Sequence, residues 1–319
     1  MKVSVLLPFY NEEAQIPITL KVVTDVLNEL SFAYELVLVD DGSKDGTWAA
    51  LEAASQSYDG VKAIHFSRNF GKEAAICAGL DYVSGDCTIL MDGDLQHPPS
   101  YIPEMIRLWA AEGYEVVEGV KAERQTESVF SRWAANTFYK LFRWLGGFDL
   151  QNASDFKLLD KKVVAAWRSL TERTTFFRGL SAWLGFKRTT FEFEVGERTV
   201  GRSKWSLRNL IHLSSSAVTS FSARPLQIIT ILGGLCVVGA LIMIIQTLVM
   251  YISKQAASGF TTVILLQLLI GGCIMISLGL IGSYIGRIYD EIKDRPRYLI
   301  SKIAKSEIEF ANKSIEHSQ

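Results

Sequence analysis

Apolar and polar stretches alternate in blocks along the first 120 residues. Five apolar runs, at 3–8, 35–39, 61–66, 88–91 and 116–120, predict β-strands. Between them 14–30, 47–57, 72–83 and 99–112 have the length and periodicity of crossover helices. A repeating strand–helix order predicts an α/β domain with a mostly parallel sheet covered on both faces. Ligands bind such sheets at the carboxyl ends of the strands. The polar clusters fall there: Tyr10, Asn11, Glu12 and Glu13 after the first strand, Asp40 to Ser43 after the second, Ser67 to Asn69 after the third, and Asp92, Gly93 and Asp94 after the fourth.

The pattern changes beyond residue 223. Twenty-nine uncharged residues separate Arg224 from Lys254, and 32 separate Lys254 from Arg287. Each run exceeds the roughly 20 residues that span a bilayer as a helix. The short connector around Lys254 predicts an antiparallel two-helix transmembrane hairpin. Arg224 on one flank, with Arg287, Lys293, Arg295, Arg297 and Lys302 on the other, outweigh the connector's Lys254, so both ends are expected in the cytoplasm of an inner or plasma membrane. The expected organisation is a cytoplasmic domain over 1–205 with an interfacial helix near 128–145, an amphipathic interface helix over 206–223, the hairpin over 224–288, and a cytoplasmic tail over 289–319. Gly233, Gly234, Gly239, Gly271, Gly272, Gly279, Gly282 and Gly286 would permit close helix contact within the hairpin or in a homo-oligomer.

Composition adds little to this division. Hydrophobic residues make up 49% of the 319, with mean hydropathy +0.18, as a membrane-attached chain requires. A net charge of -1 offers no case for nucleic-acid binding. The strand-like start, Met1-Lys2-Val3-Ser4-Val5, predicts no cleaved signal peptide. Cys77, Cys87, Cys236 and Cys273 lie in apolar segments without metal-ligand spacing and read as small hydrophobes.

Candidate chemistry centres on Asp92-Gly93-Asp94, with Gln96 just beyond. Two carboxylates at the end of a buried strand, with Gly93 allowing a tight turn, are hard-oxygen ligands suited to Mg²⁺ or Mn²⁺ carrying a diphosphate. Neither a G-x-G-x-x-G nor a Walker P-loop follows the first strand, which argues against dinucleotide oxidoreductases and P-loop NTPases. Asp40 or Asp41 is placed to accept hydrogen bonds from a base or ribose, or else to cap a turn.

Four ordered motifs carry a family resemblance: Val5-Leu6-Leu7-Pro8-Phe9-Tyr10-Asn11-Glu12-Glu13, Leu38-Val39-Asp40-Asp41-Gly42-Ser43, Ser67-Arg68-Asn69-Phe70-Gly71-Lys72-Glu73, and Met91-Asp92-Gly93-Asp94-Leu95-Gln96-His97-Pro98-Pro99. With these the chain resembles the family 2 glycosyltransferases of GT-A fold, specifically the polyprenyl-phosphate branch that includes dolichol-phosphate mannose synthase and bactoprenol glucosyltransferases. The resemblance implies that Pro8, Tyr10, Glu12, Asp40 or Asp41, and Asp92 bind the donor nucleotide, and that Asp92, Asp94 and Gln96 hold the metal. Many relatives carry an acidic residue where this chain has His97, which reads as a solvated loop histidine. Lys121, Arg124, Ser128, Arg132 and Asn136 resemble the region that grips the lipid phosphate. Residues 128, 132 and 136 recur at helical spacing along one face. Arg198, Ser203 and Lys204, with Arg202 at the variable position, resemble a cationic R-x-x-G-x-S-K loop expected to close over both phosphates.

The implied reaction is inverting transfer of a hexose, most simply glucose from UDP-glucose, to undecaprenyl phosphate, with Asp94, Asp155, Arg198 and Lys204 as catalytic residues. A phosphate nucleophile is already ionised near neutral pH, so Asp155 is expected either as a base or as a residue that orients the acceptor. GDP-mannose or a 4-amino-arabinose donor would fit the same motifs, and a flippase and a downstream glycosyltransferase are the expected partners. A non-catalytic membrane scaffold retaining the fold is the reading from another class.

Overall fold

A computed structural model describes residues 1–121, 153–170, 172, 177–194, 196, 224–253 and 259–305. The four expected parallel strands form in place: β1 (Lys2–Phe9), β2 (Ala33–Asp40), β3 (Val61–Phe66) and β4 (Cys87–Leu90). They lie in the order β4-β1-β2-β3. Their crossovers are α1 (Ile16–Asn28), α2 (Thr47–Ser57) and α3 (Lys72–Tyr82). A short turn at Pro99–Tyr101 leads into α4 (Ile102–Glu112), which stops at Gly113 in the left-handed region, φ 68. Phe9, Leu20, Leu38, Ile89, Met105 and Phe156 belong to one buried cluster that ties these elements together.

The far side of the sheet departs from the expected parallel series. The run at 116–120 is a strand, β5 (Val116–Lys121), but it does not pair with β4. A strand missing from the sequence reading, β6 (Ala153–Asp160), enters between them and runs antiparallel to both. It was hidden because Ser154, Asp155 and Lys157 interrupt its apolar pattern, although all three are buried. Two helices, α5 (Lys161–Arg168) and α6 (Phe177–Trp183), precede β7 (Arg188–Phe193), which is parallel to β5. Asp160 caps α5 by accepting the Lys162 N–H at 2.8 Å.

The segment from 289 contains a strand that the sequence reading did not include. Residues 300–305 form β8 (Ile300–Lys305), an antiparallel edge strand on β3, and Tyr298 stacks on Phe66 while donating to Asp81 at 2.6 Å. The sheet is therefore mixed, in the order β7-β5-β6-β4-β1-β2-β3-β8.

A second compact unit contains α7 (Arg224–Ile252) and α8 (Phe260–Ile292). Within α8, Leu269–Ile292 is long and apolar enough to cross a membrane; the apolar stretch in α7, Ile229–Met243, is shorter. The side chains of Ile231, Leu235, Ile245, Met275, Ile276 and Ile285 are exposed, so this unit leaves an extensive apolar surface uncovered by protein. Within this single chain a Cβ on each of the eight glycines of these helices would meet nothing within 4 Å. Cys77 and Cys87 are buried as expected of small hydrophobes, while Cys236 and Cys273 are half-buried.

Lys157 is the sheet's most demanding resident, an ammonium only 1% exposed. It pairs with Glu118 at 3.1 Å, its register partner on β5, and donates to Ser181 at 2.7 Å. Breaking a buried pair leaves a charge without compensation. Glu118→Gln is expected to destabilise the fold by about 3 kcal/mol in urea unfolding followed by tryptophan fluorescence, whereas Glu118→Leu with Lys157→Met is expected to come close to wild type.

Candidate active site

The carboxyl ends of β1 and β2 are knitted together by their loops. Asn11, left-handed at φ 52, accepts the Lys44 N–H at 2.9 Å, and its own N–H donates to Ser43 at 2.8 Å. The Glu12 N–H donates to Thr47 at 2.9 Å, and Glu13 accepts from Gly46 at 3.0 Å. Pro8, which lacks an N–H, lies past the last β1–β4 partners, Leu6 and Leu90, so no ladder bond is lost on that side. Pro8, Tyr10 and Glu12 therefore line one strand end.

Both candidate base-binding aspartates have internal partners. Asp40, fully buried, accepts from the Ser43 N–H at 2.9 Å and faces His65 Nδ1 at 2.8 Å. Asp41 accepts the N–H groups of Phe70 at 2.7 Å and Gly71 at 2.9 Å and the Asn69 amide at 2.8 Å, which anchors the loop before α3. Burial pushes its carboxyl up to about 6.

The Asp92–Gln96 segment is held from several directions. Thr19 donates to the Gly93 carbonyl at 2.5 Å, the Asp92 N–H donates to His97 Nδ1 at 3.0 Å, and the Gln96 N–H donates to Asp94 at 3.1 Å. Glycine is required at 93 by close approach, since a Cβ would sit 2.4 Å from the Phe9 ring; the left-handed turn is made instead by Leu95, φ 60. His97 is not a solvated loop residue. It is 4% exposed and stacks on Phe156 with ring centroids 5.1 Å apart, and burial holds its imidazole below the usual value. Accepting from Asp92 places its proton on Nε2.

Asp155 joins the group through strand register. The β4–β6 pairing of Leu90 with Lys157, extended by two residues, sets Asp155 opposite Asp92. Lys72, the first residue of α3, bridges them: its Nζ lies 2.6 Å from Asp92 Oδ1 and 2.6 Å from Asp155 Oδ2. Arg178 of α6 forks onto Asp155, Nε at 2.8 Å and the second amine at 3.0 Å. Burial alone would raise the Asp155 carboxyl, but Lys72 and Arg178 outweigh it and hold the group well below the carboxylate range. Asp92 follows the same logic, lowered chiefly by Lys72 against its burial. Lys121, at the end of β5, belongs to the same field: burial, then Arg178, lowers its ammonium while Asp92 and Asp155 pull it back up.

Lys72 and Arg178 were not singled out from the sequence. Lys72 stood within the third quoted motif, whereas nothing near Arg178 signalled a role. Arg124, Ser128, Arg132, Asn136, Arg198, Arg202, Ser203 and Lys204 lie outside the described residues. The chain nevertheless reaches the threshold of the 198–204 loop at the site, because Gly196 donates to the Gln96 carbonyl at 3.2 Å.

Among the described residues no three His, Cys, Asp or Glu side chains converge to hold a metal by themselves. Asp92 and Asp94 carboxylates with the Gln96 amide fit a hard cation that takes its remaining oxygens from substrate and water. Asp92 Oδ1 is buried with no aligned hydrogen bond and has the Lys72 ammonium as its ionic neighbour, as suits an oxygen kept for cations.

Like Asp41, the half-buried Glu73 titrates in an accessible range. Glu73, packed beside Asp155 and bonded to the Phe177 N–H at 2.7 Å, is pushed by burial and then by the Asp155 charge up to about 7. The folded chain keeps this proton where the unfolded chain has released it, so between about pH 4.5 and 7 Glu73 contributes stability that is lost as pH rises. His97, neutral when folded, contributes the opposite slope below about pH 6.5. The difference between wild type and Glu73→Gln isolates the first term: relative to the variant, wild type is expected to lose unfolding free energy from pH 5 to above 7 in urea titrations.

The comparisons with known proteins agree with this architecture. The family model for glycosyl transferase family 2 matches residues 4–167. An uncharacterised glycosyltransferase, YkcC of Bacillus subtilis, is 40% identical over 94% of this chain and 93% of its own. The bactoprenol glucosyl transferase of Shigella phage SfII is 37% identical, covering 95% and 98%. In fold the chain is similar to glucosyl-3-phosphoglycerate synthase from Mycobacterium tuberculosis, solved with Mn²⁺, UDP and phosphoglyceric acid, with TM-score 0.50 and 21% identity over 68% of this chain and 76% of that one. Matched by the family model over residues 4–167 and by these relatives over nearly its full length, the chain belongs to glycosyl transferase family 2.

Proposed function

We propose that the protein transfers a hexose, glucose in the first instance, from a UDP-sugar to the phosphate of a polyprenyl phosphate such as undecaprenyl phosphate, releasing UDP. The observation that carries this reading is the state of Asp155. A carboxylate clamped by Lys72 and Arg178 and held ionised far below neutrality is a weak proton acceptor, unsuited to activating an alcohol. A phosphate monoester, with its second pKa near 6, needs no such base. The likeness to a bactoprenol glucosyl transferase over nearly the whole chain points to the same lipid class.

In this reading the ends of β1 and β2, with Pro8, Tyr10, Glu12, Asp40 and Asp41, receive the nucleoside. Asp92, Asp94 and Gln96 would hold Mg²⁺ or Mn²⁺, which when bound supplies charge neutralisation to the departing diphosphate. The similarly folded synthase solved with Mn²⁺ and UDP is in keeping with that assignment. Arg198, Arg202 and Lys204 would bring cations to both phosphates and Ser203 a hydroxyl donor; in sequence they come shortly after Gly196, which donates to the Gln96 carbonyl. Lys121, Arg124, Ser128, Arg132 and Asn136 receive the lipid phosphate. In-line attack by that phosphate inverts the anomeric carbon.

A membrane-bound acceptor explains the apolar helices. We read α7 and α8 as a two-span hairpin with both flanks cytoplasmic, on the charge bias around them. A fluorescent protein fused after Gln319 is then expected to be bright, and alkaline phosphatase inserted at Lys254 active; the reverse pattern would overturn the orientation.

Purified full-length protein in detergent, given undecaprenyl phosphate, Mg²⁺ or Mn²⁺ and a panel of UDP- and GDP-sugars, is expected to release UDP and form a lipid phosphohexose from UDP-glucose. Asp94→Ala should lower the rate at least about 10²-fold. Product from GDP-mannose alone would reassign the donor, and absence of UDP binding would reject the enzyme reading.

A further inference from the structure

Lys72 and Arg178 converge on Asp155, and the function proposed above gives neither a role of its own. We infer that these two side chains, presented on Asp155 as a common holder, bind the phosphate of the acceptor at the reaction centre. The inference rests on the function proposed above and names residues that function did not require.

Exposure separates the parts. The Asp155 side chain is 6% exposed, whereas those of Lys72 and Arg178 are 41% and 34% exposed, so part of each cationic side chain is open to solvent beside the carboxylate it pairs with. An ammonium has three N–H donors and a guanidinium five, and Asp155 takes one and two of these respectively. A forked guanidinium beside a point-charge ammonium matches a tetrahedral oxyanion better than either does alone. Charge agrees in sign: Lys72, Arg178 and Lys121 carry three positive charges against the one negative charge of Asp155, an excess that attracts a phosphate monoester of roughly −1.5 to −2. Lys72 also touches Asp92, so one side chain links the carboxylate of the donor side to that of the acceptor side. The acceptor oxygen bound there would lie beside the donor diphosphate, as in-line attack demands.

The alternative is a purely structural ion-pair network supporting the metal carboxylates. The two differ in what Lys72→Met does. As a phosphate ligand, its loss is expected to raise KM for undecaprenyl phosphate about tenfold or more, with a smaller change in kcat. UDP affinity should stay unchanged, and Mn²⁺ affinity read by electron paramagnetic resonance should be equal or tighter, because one cation sharing Asp92 has gone. Lys72→Arg should restore most of the KM. An unchanged lipid KM, or a Mn²⁺ affinity weakened in step with the melting temperature, would overturn the inference.

Should wild type transfer no sugar, calorimetric binding of farnesyl phosphate to the full chain decides separately. Binding kept in Asp94→Ala and lost in Lys72→Met and Arg178→Gln upholds the site. Equal binding in wild type and Lys72→Met rejects it.

Discussion

A carboxylate withdrawn from water must either give up its charge or be met by a cation, and this requirement organises the molecule around the buried Asp155 and the half-buried Asp92. Neither can be accommodated by its own strand. Lys72 comes from the start of α3 and Arg178 from α6, so elements more than 100 residues apart converge to satisfy two side chains on β4's loop and β6. Glu73 completes the junction by holding the first amide of α6. The helices before and after the sheet's antiparallel insertion are thus fixed by the charges they serve.

Behind this cluster the sheet repeats the same solution in drier surroundings. Lys157 lies two residues after Asp155, on the same face of β6, and finds Glu118 directly opposite. Placing a second ion pair beneath the first is costly in desolvation, and its return is rigidity: β5 and β6 cannot slide in register without parting the two charges. Register is what delivers Asp155 to Asp92, so the buried pair protects the geometry of the outer one.

The donor side is assembled by different means. Here hydrogen bonds between short loops dominate, with Asn11, Glu13 and Thr47 joining the ends of β1 and β2, and Asp41 collecting the backbone of the loop before α3. Aromatic packing does the rest: His97, Phe156 and Phe193 support the Asp92–Gln96 segment from below. The apolar helices α7 and α8 obey a separate rule, since their exposed isoleucines, leucines and methionines gain nothing from water, and in α8 the stretch Leu269–Ile292 is long and apolar enough to cross a bilayer.

Local rules were enough to read β1 to β5, α1 to α4, the two long apolar helices and the carboxylates at the strand ends, because each depends on periodicity or on a short motif within a few residues. Asp92, Asp94 and Gln96 were legible for that reason, as was the family. The insertion of β6 between β4 and β5, the return of β8 to the edge of β3, and the burial of His97 were not, because each depends on pairing across long sequence separations. Lys72 and Arg178 became visible as site residues only once register set Asp155 against Asp92. A single charge in a sequence has no partner until the chain folds, and it is the tertiary structure that decides which charges are buried together and must neutralise one another.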